Sequence, residues 1–245
     1  MSKQVAIVTG AASGIGQGIA IALDQKDIQI VLVDKNSCDD TIKQLQGDGH
    51  VEHLGDIREA EFIKHVVEDT SNTFGHIDIL VNNAGTASRL NLETMTVDDW
   101  ERDINTNLLA TFLFTKAVVY PYMKNQEAGR IVNISSISGM NGGAKSGDET
   151  IGRSGPAYAA SKGGVIALTK WVAREIGQYN ITCNSVAPGA TETGITKGVP
   201  YDTSHQSIDR MGKPAEIASA VSYLVSKEAS YITGQVIVVD GGAYM

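Results

Sequence analysis

Short runs rich in Val and Ile alternate along this chain with longer stretches of helical spacing, and that alternation limits the fold more than any other feature. The runs are Gln4 to Thr9, Gln29 to Asp34, Ile77 to Asn82, Arg130 to Ile134, Ile181 to Val186 and Gln235 to Val239. Continuous apolar runs of this length read as strands buried on both faces. Between them Ile15 to Gln25, Glu59 to Phe74, Asn107 to Lys124, Ala157 to Gln178 and Pro214 to Val225 carry helical spacing. A further, more polar strand is expected around His50 to Leu54. Strand, helix, strand repeats predict an α/β fold, a doubly wound parallel sheet inside a Rossmann-like three-layer α/β/α sandwich. No linker, internal repeat or low-complexity tract interrupts the 245 residues, so residues 1–245 are expected to form a single domain.

Charge and cysteine usage exclude several kinds of function. The net charge is −8 and the Lys and Arg residues are scattered, which argues against nucleic acid because phosphate binding needs a concentrated basic surface. Cys38 and Cys183 lie far apart with no ligand spacing around them, and none of the histidines has a partner at metal-binding spacing. No metal is expected. The chain enters an apolar strand within its first residues, without a leader-like segment, and no apolar stretch approaches a membrane-spanning length. A cytoplasmic protein with free thiols and no membrane contact is the expectation.

The first strand runs directly into Thr9-Gly10-Ala11-Ala12-Ser13-Gly14-Ile15-Gly16, and helical spacing begins at once. Glycines there allow a tight turn and a close approach of backbone to a pyrophosphate, whose charge the helix N-terminus stabilises. A structural turn uses glycine too, so context decides. The second strand ends on Asp34, near the interval of about 20 residues at which a carboxylate bonds the adenosine ribose. A 2′-phosphate beside Asp34 would oppose two anions, at a cost on the order of 4 kcal/mol per unit-charge pair before screening. NAD is therefore the expected cofactor. Ser13 supports that reading, since it stands in the glycine loop where an Arg would hold an extra phosphate, although Lys35 could soften the repulsion.

Tyr158 and Lys162 open the longest helical pattern, and their spacing puts both on one face. Using a phenolate near neutral pH demands roughly three pKa units, or about 4 kcal/mol, of stabilisation. One ammonium at about 4 Å supplies a comparable amount at intermediate dielectric. Such a pair also arises by chance on many helices, so its meaning depends on the other motifs.

Taken in order, those motifs resemble the short-chain dehydrogenase/reductase family in its compact form, from the first strand to the last residues. Thr9 to Gly16 is similar to the family's cofactor loop, including Gly10, Ser13, Gly14, Ile15 and Gly16. Asp56-Ile57 resembles its adenine-contacting pair, and Asn82-Asn83-Ala84-Gly85 the motif after its fourth strand. Asn107 matches its helix asparagine, and Ser136, Tyr158 and Lys162 match its catalytic residues. Pro188-Gly189 resembles the turn beside the nicotinamide, and Asp240-Gly241-Gly242 the C-terminal signature.

The resemblance implies interconversion of a secondary alcohol and a ketone by hydride transfer to or from NAD(H). Tyr158 would exchange a proton with the substrate oxygen, Ser136 would hydrogen-bond that oxygen, and Lys162 would bond the nicotinamide ribose and lower the Tyr158 pKa. Asn107 would hold a water on the proton path. Thr191 and Thr193 would contact the carboxamide or a phosphate, or else cap their own loop. Only one of Ser135 and Ser136 can face the site, because side chains alternate along an extended chain, and family register favours Ser136. Asn105 competes in the same way with Asn107. Family habit also implies a homotetramer.

Two irregular regions border the expected site, Gly139 to Gly155 and Gly189 to Arg210. Both are expected to act as lids, the first with glycines that allow movement and with Lys145, Asp148, Glu149 and Arg153 either selecting a polar substrate or keeping the loop solvated; a tolerated surface insertion is the alternative for that first segment. The competing functions are an NADP-dependent reductase of 3-oxoacyl thioesters, against which Asp34 stands, and a non-catalytic NAD-binding regulator, which would be expected to lack Tyr158 or Lys162.

Overall fold

The computed structural model describes residues 2–143, 154–194, 196–198 and 201–244. The strands are β1 (Val5–Thr9), β2 (Gln29–Asp34), β3 (Val51–Leu54), β4 (Ile79–Asn82), β5 (Gly129–Ile134), β6 (Ile181–Pro188) and β7 (Val236–Val239). They form one parallel sheet in the order β3-β2-β1-β4-β5-β6-β7. The α-helices are α1 (Gly14–Asp24), α2 (Asp39–Ile42), α3 (Ala60–Phe74), α4 (Val97–Ile104), α5 (Ala110–Val118), α6 (Lys124–Gln126), α7 (Ser138–Asn141), α8 (Pro156–Ile176) and α9 (Pro214–Leu224). This is the doubly wound three-layer architecture expected from the alternation of strand and helix patterns.

Alternation along each strand divides the core in two. Val5, Ile7, Val31, Val33, Leu80 and Ile131 face one side, where they pack with Ile63 and Val66 of α3, Phe114 and Val118 of α5 and Val172 and Ile176 of α8. Ala6, Val8, Ile30, Leu32, Ile79 and Val81 face the other, against Ile19 and Leu23 of α1 and Ile217, Val221 and Leu224 of α9. Burial on both faces is why β1, β2 and β4 read as near-continuous apolar runs, while the buried Thr182, Asn184 and Ser185 interrupt β6. The order reverses between β1 and β4, so the crevice for a ligand lies beyond the carboxyl ends of those two strands.

Several boundaries differ from the sequence expectations. Sequence spacing joins Asn107 to Lys124 in one helix, but the chain widens into π turns over Asn105–Leu109 and Val119–Met123. Tyr120 is extended at φ −116°, ψ 112°, as expected for a residue whose α conformation is blocked by the following Pro121. The strand expected from Ile77 begins at Ile79, and β6 continues two residues past Val186 to Pro188. β7, expected to be buried on both faces, is half-exposed as the edge of the sheet. Among the described residues no helix is long and apolar enough to cross a membrane.

Candidate active site

A cleft of about 970 Å³ opens at the carboxyl ends of the strands, over the point where strand order reverses. Gly10, Ser13, Gly14 and Ile15 line it from the first strand–helix turn, and Asp34, Asp56 and Ile57 line it from the ends of β2 and β3. Asn83, Ala84 and Gly85 approach from β4, Ser136 from β5, Tyr158 and Lys162 from α8, and Pro188, Gly189, Thr191 and Thr193 from beyond β6. Gly16 and Asn107 stand behind this lining rather than in it.

The glycine loop is built for close approach. Gly10 has φ +69°, and a Cβ there would stand 2.7 Å from Asn83 Nδ2 and 2.9 Å from Ala84 Cα. A Cβ on Gly16 would collide with the Gly10 carbonyl oxygen, so the helix packs against the turn itself. Gly14, at φ +59°, leaves room for Thr193, whose Cβ would be 3.2 Å from an added side chain. Ser13 makes no side-chain cap and no acidic residue occupies the first turn of α1, so the positive end of that helix is left available to an anion. These features fit a pyrophosphate.

Cross-strand bonds hold the turn in place. Thr9 Oγ1 accepts from Asn83 N at 3.0 Å and Ala84 N at 3.1 Å, while Asn83 Nδ2 donates to Thr9 O at 2.9 Å and Gly10 O at 3.2 Å. Asp34 accepts from Ala12 N and Asn36 N, both at 3.0 Å, and so fixes its carboxylate between the loop and the end of β2. Arg58 is ion-paired with Asp56, which pulls the Asp56 carboxyl below its usual pKa; Lys35 and Arg58 share the same end of the cleft.

At the other end, Ser136 and Tyr158 lie together. The Ser136 hydroxyl lies close enough to the phenol to draw its pKa down, and its Oγ accepts from Ser138 N at 3.1 Å. Ser135 turns away: it donates to Val186 O at 3.1 Å and accepts from Ser185 Oγ at 2.7 Å. Lys162 Nζ donates to Ile134 O at 2.7 Å and lies 5.8 Å from the centre of the Tyr158 ring. Burial lowers the Lys162 pKa to about 8. Burial also pushes the Tyr158 phenol above its ordinary value, against the downward pull of Ser136 and Arg89. The lowered phenol pKa expected from the Tyr158–Lys162 pair is therefore absent from the protein alone, because desolvation outweighs the neighbouring groups.

Asn107 lies in the π turn between α4 and α5, fully buried. Its Nδ2 donates to Thr86 O and Ser161 Oγ, each at 2.9 Å, and its Oδ1 accepts from Thr86 N at 2.8 Å. π turns recur at functional sites because the extra residue changes which side chain faces inward. Here the amide clamps the chain just after Gly85, where a Cβ would stand 3.2 Å from Asn107 Oδ1 and 3.4 Å from Lys162 Nζ. Thr191 is buried, with its hydroxyl on Gly189 O at 3.1 Å, and Thr193 is pinned through Thr196.

The first of the two regions expected to act as lids is only partly described. Lys145, Asp148, Glu149 and Arg153 lie outside the described residues. Gly139, expected to supply mobility, serves packing instead: a Cβ there would stand 2.5 Å from Lys162 C and 2.6 Å from Gly163 N, so α7 rests directly on the α8 backbone. Sequence reasoning missed Arg89 and Tyr201, and gave Thr9 no role beyond its place at the head of the cofactor loop. The hydroxyl spacing that makes Thr9 a clamp appears only once β1 and β4 are neighbours.

A family model described as Enoyl-(Acyl carrier protein) reductase matches residues 10–244. The chain belongs to the short-chain dehydrogenase/reductase family. Among members of the family it is 40% identical to a 3-oxoacyl-(acyl-carrier-protein) reductase of Thermotoga maritima, across 99% of this chain and 98% of that protein. It is 38% identical to the protein of the same description from Vibrio cholerae, across 100% and 99%. An acetoacetyl-CoA reductase of an Acinetobacter strain is 36% identical over the whole of both chains. As a short-chain dehydrogenase/reductase this protein is an oxidoreductase acting on a CH–OH/ketone pair and binds a nicotinamide cofactor.

Proposed function

We propose that this protein reduces the ketone of a 3-oxoacyl thioester with reduced NAD. The observation that carries the reading is the Ser136–Tyr158 pair, set together at one end of a cleft whose other end is the glycine loop. The names of the relatives, reductases of 3-oxoacyl carrier-protein and acetoacetyl-CoA substrates, supply the thioester.

Gly10, Ser13, Gly14, Ile15 and Gly16 would hold the pyrophosphate, Asp34 the adenosine ribose, and Asp56 and Ile57 the adenine. Asn83, Ala84, Gly85, Pro188, Gly189, Thr191 and Thr193 would border the nicotinamide half, with Lys162 on its ribose. Bound there, the cofactor supplies the hydride, as its own chemistry dictates. The protein's part is to receive the charge that develops on the ketone oxygen. Ser136 donates a hydrogen bond to that oxygen, and Tyr158 transfers its phenolic proton to it. A phenol held above its usual pKa keeps its proton until the oxygen becomes basic, which suits an acid in the reductive direction. Lys162 then lies beside the phenolate that remains.

Asp34 favours NAD over NADP through charge, since it is fixed by two backbone donors and cannot swing aside without losing both. Lys35 and Arg58 at the same end favour the second reading, an NADP-dependent reductase of the same thioesters. Oxidation of each reduced dinucleotide, followed by absorbance with acetoacetyl-CoA and a panel of simple ketones and secondary alcohols, tests both points. The reading requires turnover of the thioester; turnover of only non-thioester substrates would overturn it.

A further inference from the structure

We infer that Arg89 determines specificity at this site by donating hydrogen bonds to the C1 carbonyl oxygen of the 3-oxoacyl substrate, the carbonyl beyond the reacting ketone. This rests on the thioester reading above. Arg89 lines the cleft that holds Ser136 and Tyr158, and its Nη2 donates to Tyr201 Oη at 3.1 Å. Its charge is near enough to draw the Tyr158 pKa down. Tyr201 comes from the segment after β6, so the pair bridges the two walls of the substrate end.

The backbone carrying Arg89 is held in an unfavourable conformation. Its φ is +58°, a left-handed value that costs a side-chain-bearing residue energy and persists only where surroundings over-determine it. Three anchors do so. Asn107 clamps Thr86 through both its N–H and its carbonyl. Asp103, completely buried, accepts from Ser88 N at 2.9 Å and Ser88 Oγ at 2.6 Å. Gly155, at φ +81°, lets the start of α8 close onto the segment: a Cβ there would stand 3.0 Å from Leu90 O and 3.5 Å from Arg89 N. A loop fixed from α4, from the π turn and from the entrance to α8 presents one guanidinium to the cleft, and Tyr201 holds its far end.

The chemistry suits the assigned carbonyl. A 3-oxoacyl thioester differs from a simple ketone by an oxygen acceptor two carbons from the reacting centre, and a planar fork of N–H donors recognises such an oxygen directionally. The same contact favours substrates that carry the oxygen, since an oriented donor gains nothing from ketones that lack it.

The test is kcat/KM for acetoacetyl-CoA and for 2-butanone, a ketone of the same chain length without the C1 oxygen, in wild type, Arg89→Met and Arg89→Gly. Arg89→Gly removes the guanidinium while relieving the left-handed backbone, so it folds even if the Met variant does not. The expected result is a loss of at least about tenfold on the thioester, change on 2-butanone within about threefold, and unchanged dinucleotide affinity and Tm no lower than wild type for Arg89→Gly. If wild type turns over 2-butanone too slowly to measure, loss on the thioester with unchanged dinucleotide affinity in both variants supports the inference. Thioester turnover within about threefold of wild type in Arg89→Gly, or equal loss on both substrates, overturns it. Wild type that reduces simple ketones and not acetoacetyl-CoA overturns the thioester reading instead.

Discussion

The ammonium of Lys162 donates to the main-chain carbonyl of Ile134 at 2.7 Å, across the interface between α8 and β5, and is buried there with its pKa reduced to about 8. The cost has a definite pH signature. Below about 8 the group is charged whether folded or not, and the full burial penalty applies. Between about 8 and its ordinary 10.5 the unfolded chain holds a proton that the folded one has released, so wild-type stability rises with pH in that window. Lys162→Met has no such proton. The wild type is expected to gain on this variant by up to about 3 kcal/mol between those pH values, read as the difference of their Tm values. A difference that stays flat across the window would mean Lys162 is not depressed.

Gly139→Ala is expected to impair the site from behind. The new methyl would meet the main chain of Lys162 and Gly163 and push α7 and α8 apart. Overpacking of this kind costs roughly 1–3 kcal/mol. Thermal denaturation should show that loss, and kcat should fall because α8 carries Tyr158 away from Ser136 at the end of β5. An unchanged Tm would leave Gly139 as an ordinary loop glycine.

The two serines after β5 should separate cleanly. Ser135→Ala removes bonds to Val186 and Ser185 and is expected to cost about 1 kcal/mol of stability with mild effect on turnover. Ser136→Ala removes the hydroxyl beside the Tyr158 phenol and should lower kcat by about a hundredfold or more with little change in Tm. Urea denaturation and steady-state kinetics on both variants check this.

The proposed preference for NAD rests on Asp34. NAD(H) is expected to exceed NADP(H) by at least about tenfold in kcat/KM, and Asp34→Ala to narrow the gap by relieving repulsion and removing a ribose acceptor together. Equal efficiencies in the wild type would assign Lys35 and Arg58 the larger role.

Much of this was legible in the residues, and the exceptions have physical causes. Unbroken Val and Ile runs such as Ile30 to Val33 announce strands covered on both faces, and the glycine loop, Asp34 and the Tyr158–Lys162 spacing all lie on the elements where their chemistry places them. The π turn at Asn105–Leu109 leaves no mark in hydrophobic spacing, because one extra residue in a turn barely alters the period. The break at Tyr120 was visible in Pro121, outweighed by the apolar pattern around it. Arg89 could not be read at all: its conformation is set by Asp103, Asn107 and Gly155, contacts that a single loop residue does not advertise.

Turnover of acetoacetyl-CoA by Tyr158→Phe, measured beside its dinucleotide affinity, goes directly to the chemistry. The phenyl ring keeps the packing against Lys162 and removes only the proton that passes to the substrate oxygen. Turnover reduced to background, with dinucleotide affinity within about twofold of wild type, is the result expected of a phenolic acid. Retention of more than a few per cent of wild-type kcat would contradict it and move the proton to another donor in the cleft.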